Sequence, residues 1–246
     1  MNPKSNTLFH FTKSRETLKH ILRSGFWPKY CLEDVGWLGY ENTNYIAYPM
    51  VCFCDIPLSR IADHVGFYGE FGIGLTRQWA ESNGLNPVLY VAGENSVTRS
   101  FRDLSSVALN LTDDEQQEKH LVVVRHLLAH TKPVQGTMVV DGKPVEKLFY
   151  QESEWRCVPT NNKLNTYLLK SKFDDEKARD EENANTKQHA LIEFGPRDVK
   201  YIFVKTDADI PDIVNFIQDE LDRFPSADLK VLLTRVVSLE GLNDDL

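Results

Sequence analysis

The chain opens on a two-residue alternation. Leu8, His10 and Thr12 fall on one face and Phe9 and Phe11 on the other, which predicts a strand over 8–12. The period then changes. In S14-R-E-T-L-K-H-I-L-R-S-G25, Leu18, Ile21 and Leu22 share one helical face. Thr12 or Ser14 can cap the start of that helix, and Gly25 stops it. The aromatic stretch 27–49 shows neither period and reads as a long structured loop with few strong elements. MVCFCDIP (50–57) predicts a second strand, ended by Pro57, and 59–69 a short helical segment. A glycine-containing strand over 71–75, a helix opened by Thr76 and stopped by Gly84, and a strand over 87–93 follow.

Residues 113–130 predict a helix with an acidic start and histidines at its end, which suits the helix dipole. Residues 134–144 suggest a hairpin turning at Asp141-Gly142, and 148–158 an extended stretch. The charged run 172–187 reads as a loop or mobile insertion. ALIEF (190–194) and YIFV (201–204) read as strands, 209–224 as a helix and 229–237 as a last strand. No internal repeat is present. The expected fold class is α+β, in a single compact domain over 1–246.

Composition supports a packed core, with 41% hydrophobic and 11% aromatic residues. The net charge of -8 argues against a generic nucleic-acid coat, because phosphate binding needs a basic surface. One stretch departs from that balance. Between His120 and Lys172 lie eight Lys or Arg against four Asp or Glu, so a local basic patch is conceivable, beside the plainer reading of solvated surface. The first residues carry no apolar signal core, and no run approaches the ~18 apolar residues of a membrane span. The expectation is a cytoplasmic protein with no membrane contact. Cys31, Cys52, Cys54 and Cys157 are then reduced thiols. The C-x-C pair has no second pair at zinc spacing, so no metal is expected. The glycines Gly69, Gly72 and Gly74 lack the dinucleotide spacing that would mark a Rossmann turn, and more simply allow a close backbone approach.

Candidate chemistry centres on Y150-Q-E-S-E-W-R-C157. On a strand, Glu152, Glu154 and Arg156 would share one face, with Trp155 and Cys157 on the other. Such a face is either a solvated edge or a pair of carboxylates lining a cleft. Carboxylates there could stabilise a cationic sugar transition state.

Several segments carry a resemblance. L8-F-H-F-T12 followed by T17-L-K-H-I-L-R-S-G25 resembles the opening of ADP-ribosyltransferase-fold toxins, including the DarT type that modifies DNA. The ordered set V51-C-F-C-D-I-P-L-S59, His64, Y68-G-E-F-G-I-G-L75, Trp79, N86-P-V-L-Y90 and E152-S-E154-W-R156 resembles the AbiGi family of abortive phage-infection proteins. The resemblance implies a split, twisted β core of ADP-ribosyltransferase type, with NAD in a cleft. His10 and Thr12 would contact the adenosine or ribose, Tyr68 would stack on nicotinamide, and Arg77 and Arg156 would complete the cofactor contacts. Glu154 would steady the ribosyl cation and Glu152 would position the acceptor, whether RNA, DNA or protein. The implied activity is that of an anti-phage toxin held in check by an antitoxin or other inhibitory partner. The alternatives are a non-catalytic antitoxin or binding module, and an NAD hydrolase.

Overall fold

The computed structural model describes residues 6–40, 43–140 and 143–243. Strand β1 (Thr7–Thr12) and helix α1 (Arg15–Ser24) stand where the alternation and the 3.6-residue period put them. The Ser14 hydroxyl accepts from the Thr17 N–H, and Gly25 ends the helix at φ 85°, a conformation that favours glycine. Next come β2 (Lys29–Asp34), β3 (Tyr45–Cys54), α2 (Ile61–Tyr68), β4 (Phe71–Thr76), α3 (Arg77–Ser82), β5 (Asn86–Pro87), β6 (Leu89–Val91), α4 (Ser96–Leu109) and α5 (Asp114–Ala129). They are followed by β7 (Thr131–Pro133), β8 (Gly136–Val140) and β9 (Lys143–Lys147). A 3-10 turn (Phe149–Glu152) enters β10 (Glu154–Cys157). The chain then runs through β11 (Leu168–Leu169), α6 (Lys170–Asp174), α7 (Glu176–His189), β12 (Val199–Val204), α8 (Ile210–Glu220), α9 (Ser226–Leu233), β13 (Val236–Ser238) and α10 (Leu239–Asn243).

Nine strands form the main sheet, in the order β13-β12-β4-β1-β3-β10-β5, with β2 and β11 also paired to β3. Among the described residues only β12 and β13 run parallel within it. The fold is thus mixed α and β around one sheet.

Side-chain alternation divides this sheet cleanly. Leu8, Val51, Phe53, Ile73, Leu75 and Cys157 pack on one face with α1, α3 and α8, through Leu18, Trp79 and Ile213 among others. Phe9, Phe11, Cys54 and Phe203 pack on the other face with Ile61 of α2. Gly72 and Gly74 serve that second face. A Cβ at Gly72 would lie 2.5 Å from the Phe11 ring, and one at Gly74 2.9 Å from the Phe9 ring. The close approach expected of these glycines is therefore to aromatic rings of the core.

Several expected elements differ. The supposed loop 27–49 holds β2 and the start of β3. The charged run 172–187 is mostly helix α7. It docks by hydrogen bonds rather than by an apolar stripe: Trp27 Nε1 donates to the Asn183 carbonyl at 2.8 Å, and the Tyr30 N–H to Asn183 Oδ1 at 2.9 Å. The expected strand 229–237 is the end of α9 followed by β13. ALIEF contributes only an isolated bridge, Ile192 to Phe26. Helix α4 was not expected at all. The hairpin is present as β8 and β9, and its Asp141-Gly142 turn lies outside the described residues.

Candidate functional site

Glu152 and Glu154 do come together, but not as neighbours on one strand. Glu152 ends the 3-10 turn and Glu154 begins β10. Ser153 between them adopts the left-handed conformation (φ 45°, ψ 51°). The chain on both sides is tied. The Asp55 N–H donates to the Ser153 carbonyl at 3.0 Å, and the Glu154 N–H to the Tyr90 hydroxyl at 2.8 Å. That left-handed residue turns both carboxylates toward one ammonium. Lys132 Nζ, from β7, lies 3.0 Å from Glu152 Oε2 and 2.7 Å from Glu154 Oε2.

The remaining oxygens are also engaged. Glu152 Oε1 accepts from the Tyr68 hydroxyl and from Lys147 Nζ, the latter at 2.6 Å. Glu154 Oε1 accepts from Arg156 Nε at 2.7 Å. Arg156 goes on to Glu33 Oε2 (2.8 Å) and to the Ala129 carbonyl (2.7 Å). Three carboxylates (Glu33, Glu152, Glu154) thus meet three cations (Lys132, Lys147, Arg156). Glu152, Glu154 and Arg156 are buried, so the solvated-edge reading is excluded.

Burial alone would push the Glu154 carboxyl up, but the Arg156 and Lys132 charges outweigh it and hold Glu154 below the usual carboxylate range. Glu152 is likewise lowered against burial, by Lys132 and by hydrogen bonds from Lys147 and Tyr68. Lys132 is raised by its carboxylates despite burial. Glu152, Glu154 and Lys132 therefore stay ionised: a buried charge is tolerated when it is paired and hydrogen-bonded. Burial pushes Tyr68 up, and Glu152 adds to this, so the phenol stays a donor. His64 stacks on Tyr68 at 4.5 Å, and burial lowers it to about 4. Burial pushes the Cys31 thiol up to about 11 and raises Cys52 as well, which favours the protonated thiol at both half-buried positions.

His10, Thr12 and Arg77 stand apart from this centre. Glu154 pairs across the ladder with Cys54 and Arg156 with Cys52, so both share the Cys52 and Cys54 face. His10 packs on the opposite face, 5.2 Å from the Phe26 ring and 5.5 Å from Phe53. Its position has a structural cause. β3 pairs with β2 over 45–50 and meets β1 only at Cys54. Where the two partners part, His10 Nδ1 donates to the Cys52 carbonyl at 2.8 Å, closing the seam. Thr12 shares the His10 face by alternation. Arg77 lies over the Trp155 ring at 4.9 Å and donates to Asp55 at 2.6 Å, again on the far side from Glu154. Of the residues implicated by the sequence, the structure gathers Glu152, Glu154, Tyr68 and Arg156, and adds Glu33, His64, Tyr90, Lys132 and Lys147. Nothing in the sequence marked Lys132, which lies twenty residues before Glu152 in the chain.

The basic stretch is largely turned inward or locally paired. Arg125 pairs with Glu118, Lys132 and Lys147 with Glu152, Arg156 with Glu154, Lys170 with Asp174 and Lys172 with Glu182. A cavity of about 230 Å³, lined by Asn83, Asn86, His126, His130, Cys157 and Thr160 among others, lies beyond the C-terminal end of β10 and does not include the glutamates. Among the described residues, no group of three or more His, Cys, Asp or Glu could hold a metal ion, and no helix is long and apolar enough to cross a membrane.

Fold and site together define a mixed α/β protein with a self-neutralised charge centre beside its main sheet. The chain belongs to the AbiGi family: residues 24–205 match the family model described as "Putative abortive phage resistance protein AbiGi, antitoxin". It is 27% identical over 248 residues to the abortive phage resistance protein AbiGi of Lactococcus lactis subsp. cremoris, covering 89% of this chain and 99% of that protein. No solved structure matches. The resemblance to the AbiGi family read from the sequence holds, and it places the chain among abortive phage-resistance proteins.

Proposed function

We propose that this chain is the restraining, antitoxin-type member of an abortive phage-defence pair, and that it works by holding a protein partner. The observation that carries this reading is the closure of the glutamate centre. All four oxygens of Glu152 and Glu154 are engaged by the chain's own donors. The residues expected to hold NAD do not line one cleft, because His10, Thr12 and Arg77 lie across the sheet from Glu154. A carboxylate poised to stabilise a ribosyl cation needs an oxygen free to face it. The family description, which names an antitoxin, agrees.

A second reading is an ADP-ribosyltransferase-like fold acting on RNA, DNA or protein, or an NAD hydrolase. One observation favours it. Two ionised carboxylates are held in a buried site beside Tyr68, and perturbed buried groups of this kind gather at reactive sites. The two readings part in one experiment. The chain is induced alone in a phage-sensitive host, and the purified protein is incubated with labelled NAD and separate pools of RNA, DNA and protein. An antitoxin-type chain leaves growth and NAD unchanged. Growth arrest with label transfer, both lost in Glu154→Gln, would replace the first reading with the second. Nicotinamide release without transfer would indicate hydrolysis.

A further inference from the structure

Lys147 reaches the charge centre from outside the body of the protein. Among the described residues its strand β9 pairs only with β8, and this hairpin joins neither the nine-stranded sheet nor the β6–β7 pair. Thr137 and Glu146 on it, and Leu148 just after it, are exposed. A two-stranded hairpin is marginal by itself, so a few side-chain contacts must hold it down. Lys147 supplies several. Its ammonium lies 2.6 Å from Glu152 Oε1, 3.1 Å from the Tyr68 hydroxyl, and 4.1 and 4.3 Å from the centres of the Phe67 and Tyr68 rings.

A carboxylate and two aromatic faces around one ammonium make a cation cage. Its walls belong to the body: Phe67 and Tyr68 end α2, His64 backs Tyr68, and Glu152 ends the 3-10 turn. Only the cation comes from the hairpin. If the hairpin lifts, the walls remain and the occupant is gone.

We propose that Phe67, Tyr68 and Glu152 form a recognition site for a lysine side chain of a protein partner, and that Lys147 is the internal occupant which that side chain displaces. The chemistry selects lysine over arginine. Glu152 Oε2 is held by Lys132, so the cage offers one carboxylate oxygen, which suits a point-like ammonium and wastes the fork of a guanidinium. The net charge of -8 draws a basic partner toward the chain. That the ligand belongs to a protein rests on the partner-holding reading above; the cage itself does not.

The test uses Lys147→Ala and, as probe, N-acetyl-lysine methylamide, with the neutral N-acetyl-norleucine methylamide as control at equal ionic strength. Calorimetric titration should show saturable binding of the lysine probe to Lys147→Ala, about tenfold tighter than to wild type, which must first displace its own lysine. The norleucine probe should not bind, and adding Glu152→Gln should abolish the effect. Equal response to both probes, or none, overturns the proposal. Should Lys147→Ala not fold, hydrogen exchange on wild type decides. The lysine probe should speed exchange at Met138 and Val145, and unchanged exchange there overturns displacement. Neither arm uses NAD or a phage host, so the cage can fail while the antitoxin reading stands, and the reverse.

Discussion

The two faces of β10 bury their side chains by opposite means. Trp155 and Cys157 pack among Val51, Phe53, Trp79 and Leu85. Each apolar contact there gains roughly 25 cal/mol per Å² removed from water, and a swap for similar volume changes little. Glu154 and Arg156, one residue away on each side of Trp155, are buried only because each finds opposite charge within 2.7 Å. For such pairs desolvation offsets most of the attraction, while loss of one partner strands the other in a poor solvent. The apolar face is tolerant and adds stability. The charged face adds little net stability, yet fixes where Glu152, Lys132 and the preceding turn must sit.

The largest test of that contrast is Arg156→Ala. It leaves Glu154 and Glu33 short of a partner, and should cost about 3–5 kcal/mol in urea unfolding at pH 7. A cost below ~1 kcal/mol would mean that the carboxylates rehydrate and that the centre is not closed. The penalty should shrink as pH falls, because a stranded carboxylate is relieved by protonation.

The next effect is pH itself. His64 titrates near 4 when folded, against an ordinary 6.5, because burial disfavours the imidazolium. A folded pKa below the unfolded one means stability that is complete above pH 6.5 and lost as pH falls toward 4. The loss between pH 6.5 and 4.5 should be about 2 kcal/mol. His64→Phe, which keeps a ring against Tyr68, should flatten that window. Glu152 and Glu154, both lowered from 4.5, should lose their share only below it. A profile unchanged by His64→Phe would remove the histidine from the account.

The smallest effect belongs to the apolar face. Ile73→Val deletes one methyl group from a fully buried site, and should cost about 0.5–1.5 kcal/mol equally at pH 5 and pH 7. A pH-dependent cost would show that the two faces are coupled through the sheet.

Where the sequence carried a clean period it was legible. β1 and α1 stand at their predicted places because alternation, a serine cap and a terminal glycine all agree. Legibility failed where burial was achieved without apolar periodicity. Helix α7 docks through Asn183 and Thr186, so its sequence resembles a solvated loop. In α9, L229-K-V-L-L233 has the composition of a strand, but the stretch after Pro225 folds as a helix around the buried Leu232. Helix α4 buries Thr98 and Ser105 alongside Phe101, which blurs its stripe. At the site, the convergence of Glu152 and Glu154 was legible while its cause was not: the strand alternation assumed for it is replaced by one left-handed residue. Lys132 and Glu33 were invisible because tertiary packing alone brings them near.

Ser153 limits what can stand between Glu152 and Glu154. Read along the chain, E-x-E looks like two positions that matter around one that does not. In space the middle residue is the pivot, held at φ 45° with the peptides on either side tied down. Glycine occupies such a position freely and asparagine or aspartate at modest cost; serine pays more, and valine and isoleucine pay most. A β-branched residue at 153 would strain this turn, and so disturb the meeting of Glu152 and Glu154 on Lys132 without altering either carboxylate.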